Sequence, residues 1–281
     1  MSYDRINFRA EDGMDASTPY FSKAEHQSLH SRLSASDLPP SPHFRSIIER
    51  MNHLQFGLSR RLSMMGSDLQ PSWERKLPVS TYSFASGGSI DGLAFAFSRP
   101  RAHAALIEKL MGRSANLAAA ADPCRHPVLE VRLDADQFVV ELIMSPLARW
   151  DQRNIAGKMR VERHREGFRS LLRSCPEDMI IGFWHGEALQ DAFLTSRQIL
   201  RGRFLEEWFG TFAAEHEWLR IGVWRTPEHP NLAQDRILTE VFGAAAALAR
   251  IYQFFAWSSE NDFHSFLGSG KKSANAPQAT V

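Results

Sequence analysis

His126-Pro127-Val128-Leu129-Glu130-Val131-Arg132-Leu133-Asp134-Ala135-Asp136-Gln137-Phe138-Val139-Val140-Glu141-Leu142-Ile143-Met144 reads as two strands joined by a tight polar turn. Side chains alternate between the faces of a strand, so Leu129, Val131 and Leu133 share one face and Phe138, Val140 and Leu142 share the matching face of the partner. Pairing Leu133 with Phe138 sets Val131 opposite Val140 and, on the other face, Glu130 opposite Glu141. Directly opposed like charges destabilise a ladder. The pair therefore calls for Arg132 close by or another basic side chain, a bound cation, or a shared proton.

A second strand-like phrase occurs twice, as Ile181-Gly182-Phe183-Trp184-His185 and Ile221-Gly222-Val223-Trp224-Arg225. In each copy the glycine and the tryptophan share a face, which makes a glycine-floored strip beside two indoles. That strip suits either a crossing helix or a flat ligand stacked on the rings, and core packing favours the helix. His185 and Arg225 fall on the opposite face at the strand ends, where sites in α/β sheets gather. The connection between the copies is long enough for helices, so the expectation is parallel pairing through a helical crossover, with Trp184 near Trp224.

Outward from these strands, apolar residues recur at helical spacing from Phe44 to Met65, and Gly66 ends the run. Strands are expected at 77–84 and 93–97, and a helix from Pro100 to near Gly112. Helices fill 188–216 in this reading, and a last one follows the Pro227 to Pro230 loop through Phe255. The order of elements predicts an α+β fold: one domain with a mixed, largely antiparallel sheet of about six strands and helices packed on it. Residues 1–42 and 268–281 lack sustained apolar periodicity and read as flexible, disordered tails around a globular domain at 43–267.

Composition narrows the function classes. A chain of 281 residues with 43% hydrophobic residues can bury a sizeable core. Lysine and arginine number 33 against 32 acids, so no overall field attracts nucleic acid or a membrane. Cys124 and Cys175 form no CxxC or zinc spacing, and no signal-peptide or membrane-spanning run occurs, which points to a soluble cytoplasmic protein. Glu215-His216-Glu217 lacks the second histidine of a zinc helix, Gly268 to Ser273 lacks the phosphate-loop pattern, and no GxSxG elbow occurs.

One local charge bias stands out. Between positions 149 and 173, Arg149, Arg153, Lys158, Arg160, Arg163, Arg165, Arg169 and Arg173 face only Asp151, Glu162 and Glu166. On one helical wheel the cations split into two sets, with Arg149, Arg153, Arg160 and Arg163 in the first, so convergence needs a break near Gly157 or Gly167. The preferred reading is a binding or regulatory module for a phosphate-bearing ligand or nucleic acid. Arg149, Arg153, Arg160, Arg163, His185 and Arg225 would meet the phosphates, with Trp184 and Trp224 beside them. The alternative is a metal-dependent hydrolase or nuclease in which Glu130 and Glu141 hold a divalent ion, with Asp91 or His185 as a further ligand, and His185 assists proton transfer. Only that alternative requires a cofactor. A third reading is a protein-interaction module using the aromatic last helix, Tyr252, Phe254, Phe255 and Trp257.

Overall fold

The computed structural model describes residues 18–30, 42–73, 77–111, 121–185, 188–202 and 204–263. It is an α+β domain whose centre is one antiparallel sheet of eight strands. Helices α1 (Lys23–His30) and α2 (Pro42–Met64) precede the strands β1 (Gln70–Pro71), β2 (Ser80–Ser83) and β3 (Gly88–Ser98). After α3 (Arg101–Leu110) come β4 (Val128–Asp134) and β5 (Phe138–Met144), then α4 (Arg149–Met159) and α5 (Glu162–Leu172). The chain continues through β6 (Ile180–His185), β7 (Ala188–Thr195), α6 (Ser196–Arg201), α7 (Leu205–Gly210), β8 (Trp218–Arg225) and α8 (Ile237–Phe255).

The strands lie in the order β1-β3-β4-β5-β8-β6-β7, with β2 also paired to β3. The β4–β5 register is the one the alternation predicts: Leu133 faces Phe138, Val131 faces Val140, and Glu130 faces Glu141. Odd positions of β3, β4, β6 and β8 and even positions of β5 then share one face. Phe95, Val131, Val140, Ile181 and Val223 lie there in a core shared with α2 and α8. Helix α8 is apolar over most of its surface because it is enclosed: Val241, Ala245, Leu248 and Ile251 are all buried. Each large apolar side chain enclosed this way contributes about 1.5–3 kcal/mol.

Several expectations are corrected. The two IG(F/V)W strands are neighbours, but β6 and β8 pair antiparallel. The reason is β7, which folds back on β6 before the helices begin, so the connection reverses direction where a wholly helical crossover would not. With β7 and the two-residue β1, the sheet has eight strands among the described residues, and every pairing between them is antiparallel. Not all of the expected N-terminal arm lies outside the fold. Phe21, His26 and Leu29 are buried, Phe21 stacks near Phe138, and Tyr20 N–H donates to the Leu232 carbonyl at 2.8 Å. The basic stretch breaks at Arg160 and Val161, between α4 and α5, and not at a glycine. The expected tail at 268–281 lies outside the described residues.

Candidate ligand-binding site

The second face of the sheet is built differently. Its apolar cluster is small, Phe84, Ala85, Ala96, Val128 and Ile143, and its members come from strands and from the segment after β2, not from an α-helix. Among the described residues, no helix contributes a buried side chain to this cluster, in contrast to the crossing helix expected over the glycines of the repeated phrase. At Gly222 the reason for glycine is the neighbouring strand: a Cβ there would lie 2.4 Å from the Val140 carbonyl oxygen and 2.6 Å from the Glu141 Cβ. Only glycine lets β8 approach β5 this closely at the Glu141 position.

Pairing across the strands sets Glu130, Glu141, Gly222 and Ile180 in one transverse row on this face. Arg132 lies beside that row on β4, and Arg220 lies beside it on β8, opposite Ile143 and Gly182. Both glutamates are fully buried, so their charges must be met inside the protein. Glu141 receives Arg220 Nε at 2.6 Å and Nη2 at 2.7 Å, and Arg132 Nη1 at 2.9 Å. Burial opposes ionisation of Glu141, yet Arg220 and then Arg132 outweigh it and hold the carboxyl below its ordinary value. Glu130 behaves in the opposite way. Burial pushes its carboxyl up, Arg132 at 3.7 Å opposes this, and the charge of Glu141 adds to it. Glu130 also fastens the segment after β2, because Ser83 Oγ donates to it at 2.5 Å and the Phe84 N–H at 2.7 Å.

Trp184 and Trp224 stack at 5.6 Å between ring centroids, with 20° between their planes. The Arg220 guanidinium lies 4.6 Å from the Trp184 centroid and 5.7 Å from that of Trp224. The opposed glutamates and the paired indoles, read separately from the sequence, thus meet through Arg220. Above them is a trough of about 490 Å³. Arg132, Arg220, Asp134 and Gln137 supply its polar wall, the two tryptophans its aromatic wall, and Ser83 and Ser86 its rim. The two guanidiniums are half engaged: Arg132 gives Nε to Asp134 at 3.2 Å and Nη1 to Glu141. Arg220 gives Nε and Nη2 to Glu141, so Arg132 Nη2 and Arg220 Nη1 have no acceptor among the described residues.

The other sequence candidates lie elsewhere. Arg225 faces the helix side, where Asp178 and Glu240 hold its guanidinium, the latter at 2.7 Å from Nε. The backbone of His185 pairs with Ala188 at the end of β6, and its side chain is outside the described residues. Arg149 and Arg153 both reach Glu215, at 3.6 and 2.6 Å, and line a separate cavity of about 360 Å³ with Arg125 and Trp150. Arg160 and Arg163 are exposed at the junction of α4 and α5. Lys158 is buried and donates to the Phe254 carbonyl at 2.6 Å, while Arg165 pairs with Glu162 and Glu206.

For the metal reading, the oxygens of Glu141 already receive three guanidinium N–H groups and those of Glu130 receive Ser83 and Phe84. Among the described residues no three His, Cys, Asp or Glu side chains come together in a metal-holding group. Nor is any described helix long and apolar enough to cross a membrane. The residue missed by the sequence reading is Arg220. It stands two places before Gly222 and four before Trp224, on their face, so the same alternation that groups the glycine and the indole includes it. The chain matches no protein-family model and no curated protein.

Proposed function

We propose that the chain is a binding module that captures a phosphate-bearing small ligand in the trough on the open face of its sheet. The observation that carries this reading is the pair of half-engaged guanidiniums. Arg132 and Arg220 are both fixed by Glu141, both line the trough, and each keeps an N–H edge without an acceptor among the described residues. A guanidinium held on one side by a carboxylate is already oriented, so a phosphate meets it with little further loss of side-chain freedom. The basic segment from 149 to 173, the first place to look in the sequence, gives weaker support because Arg149 and Arg153 meet Glu215 and Arg165 meets Glu162.

Binding fits the site better than acid–base chemistry does. A general base needs an available lone pair and a proton affinity near the working pH. Glu141 is held below its ordinary value by two cations, and Glu130 is fastened beneath the segment after β2. A reducing cytoplasmic setting suits the two free cysteines, Cys124 and Cys175.

The test is calorimetric titration of the full chain with ribose 5-phosphate at low and at moderate salt. Arg220→Lys keeps a cation over Glu141 and removes the fork; its folding is checked by thermal melting. The expected result is binding that weakens with salt and is about tenfold weaker in Arg220→Lys and in Arg132→Lys. Affinity unchanged in both variants would overturn the proposal.

A further inference from the structure

Resting on that reading, we infer that the ligand of the trough is a mononucleotide, with its phosphate on Arg132 and Arg220 and its heterocycle against the indole wall. Three observations converge. Trp184 and Trp224 stack with nearly parallel planes and both line the cavity; Trp184 is 5% exposed, whereas Trp224 is half-buried and keeps ring surface toward the trough. Any base presents a π face to such a ring, and stacking is tolerant of base identity.

Gln137 is the second observation. Its backbone N–H donates to Asp134 at 2.8 Å, but its side-chain amide uses neither its donor nor its acceptor on any described residue, although it lines the same cavity. A free amide offers one donor and one acceptor in a plane, the complement of a heterocycle edge that presents both. Other polar groups of the rim are engaged: Ser83 donates to Glu130, and Ser86 donates to backbone carbonyls.

Size is the third. About 490 Å³ falls within the range of pockets that enclose a single small ligand. It holds one nucleotide with room for water, and the cationic wall offers two outward N–H edges, which matches one phosphate group better than a chain of them.

The experiment titrates the full chain with AMP, GMP, CMP and UMP, with ribose 5-phosphate, with adenosine, and with a single-stranded hexanucleotide, following heat and tryptophan fluorescence. At least one monophosphate should bind about tenfold tighter than both ribose 5-phosphate and adenosine, and quench tryptophan emission. Trp224→Leu should weaken that nucleotide far more than it weakens ribose 5-phosphate, closing the tenfold gap between them. Gln137→Ala, at a turn and easily tolerated, should weaken the nucleotide alone, which keeps the test valid if Trp224→Leu fails to fold.

Nucleotide and ribose 5-phosphate binding equally, both dependent on Arg132, would overturn the nucleotide inference and leave phosphate capture standing. A hexanucleotide binding tighter per molecule than every monophosphate would overturn it as well, in favour of a nucleic-acid strand. No phosphate compound binding, or binding indifferent to Arg132→Lys, would overturn the proposed function and this inference together.

Discussion

The two faces of the central sheet are buried to a similar depth by opposite chemistry. On the helix side, Leu129, Val131, Val140, Leu142 and Ile221 meet α2 and α8, and burial is favourable in itself. On the open side, Glu130, Arg132, Glu141 and Arg220 are nearly as deeply placed, at 0, 7, 0 and 6% exposure, and burial is favourable only because the ions close on one another. An apolar layer would stabilise such a face as well or better. On the proposed reading, the charged layer serves to hold Arg132 and Arg220 in place at the wall of the cavity.

The comparison is broken most directly at Glu141. Glu141→Ala leaves Arg132 and Arg220 buried without their shared counter-charge, and the expected loss is about 3–5 kcal/mol in chemical denaturation. On the facing side of the same strand, Leu142→Ala should lose a similar amount, about 2–5 kcal/mol, through a cavity alone. The two variants differ in remedy: raised salt should recover part of the first loss and none of the second. Equal indifference to salt would mean that the open face is not an electrostatic unit.

A smaller effect is expected at Gly222. A Cβ there meets the Val140 carbonyl at 2.4 Å, and a backbone neighbour cannot swing away, so Gly222→Ala should lose about 1–3 kcal/mol. Gly88 at the start of β3 has nothing within 4 Å of its added Cβ, and Gly88→Ala should fall within about 0.5 kcal/mol of wild type. Matching losses at both positions would show that the close approach of β8 to β5 is not what requires Gly222.

The opposed glutamates give a comparison in sign. Glu141, depressed in the fold, contributes stability above the ordinary glutamate value of 4.5 that is lost as pH falls through its folded value. Glu130, raised in the fold, acts the other way. The folded state holds its proton longer, so stability is lost as pH rises from 4.5 toward the folded value. Glu130→Gln should thus gain on wild type as pH rises from 4.5 through that window, whereas Glu141→Gln should fall behind wild type in the lower window, as pH rises from the folded Glu141 value to 4.5. Denaturation midpoints measured across pH decide it, and parallel curves for the two variants would refute the assignment.

Legibility in the sequence follows the range of the contacts. The β4–β5 register is local, set by alternation on both sides of a four-residue turn, and it is visible in the chain. The partner of Glu141 is not, because Arg220 comes from a strand that reaches β5 only after the whole of α4 through α7. Parallel pairing of the two IG(F/V)W strands failed for a related reason: the rule for crossovers assumes no strand inside the connection, and Ala188–Thr195, read as helical, is one. Tyr20 and Phe21 lie in a stretch without period, so their place in the core shows only once β5 and the Leu232 loop are in position.

The smallest effect is expected at the basic segment, and it is informative because it is small. Arg149 and Arg153 have side chains 64 and 62% exposed, and solvent screens their bonds to Glu215. Arg149→Glu with Arg153→Glu changes the formal charge by four, more than any single substitution in the trough. The expected change is nonetheless under about 1 kcal/mol in stability, with affinity for ribose 5-phosphate within about twofold of wild type. Arg132→Lys, which changes no charge at all, should weaken the same ligand about tenfold. A phosphate that follows net charge would be lost in the double reversal and kept in the lysine variant. The proposed phosphate site predicts the opposite result, because its guanidiniums would act through a geometry that Glu141 fixes.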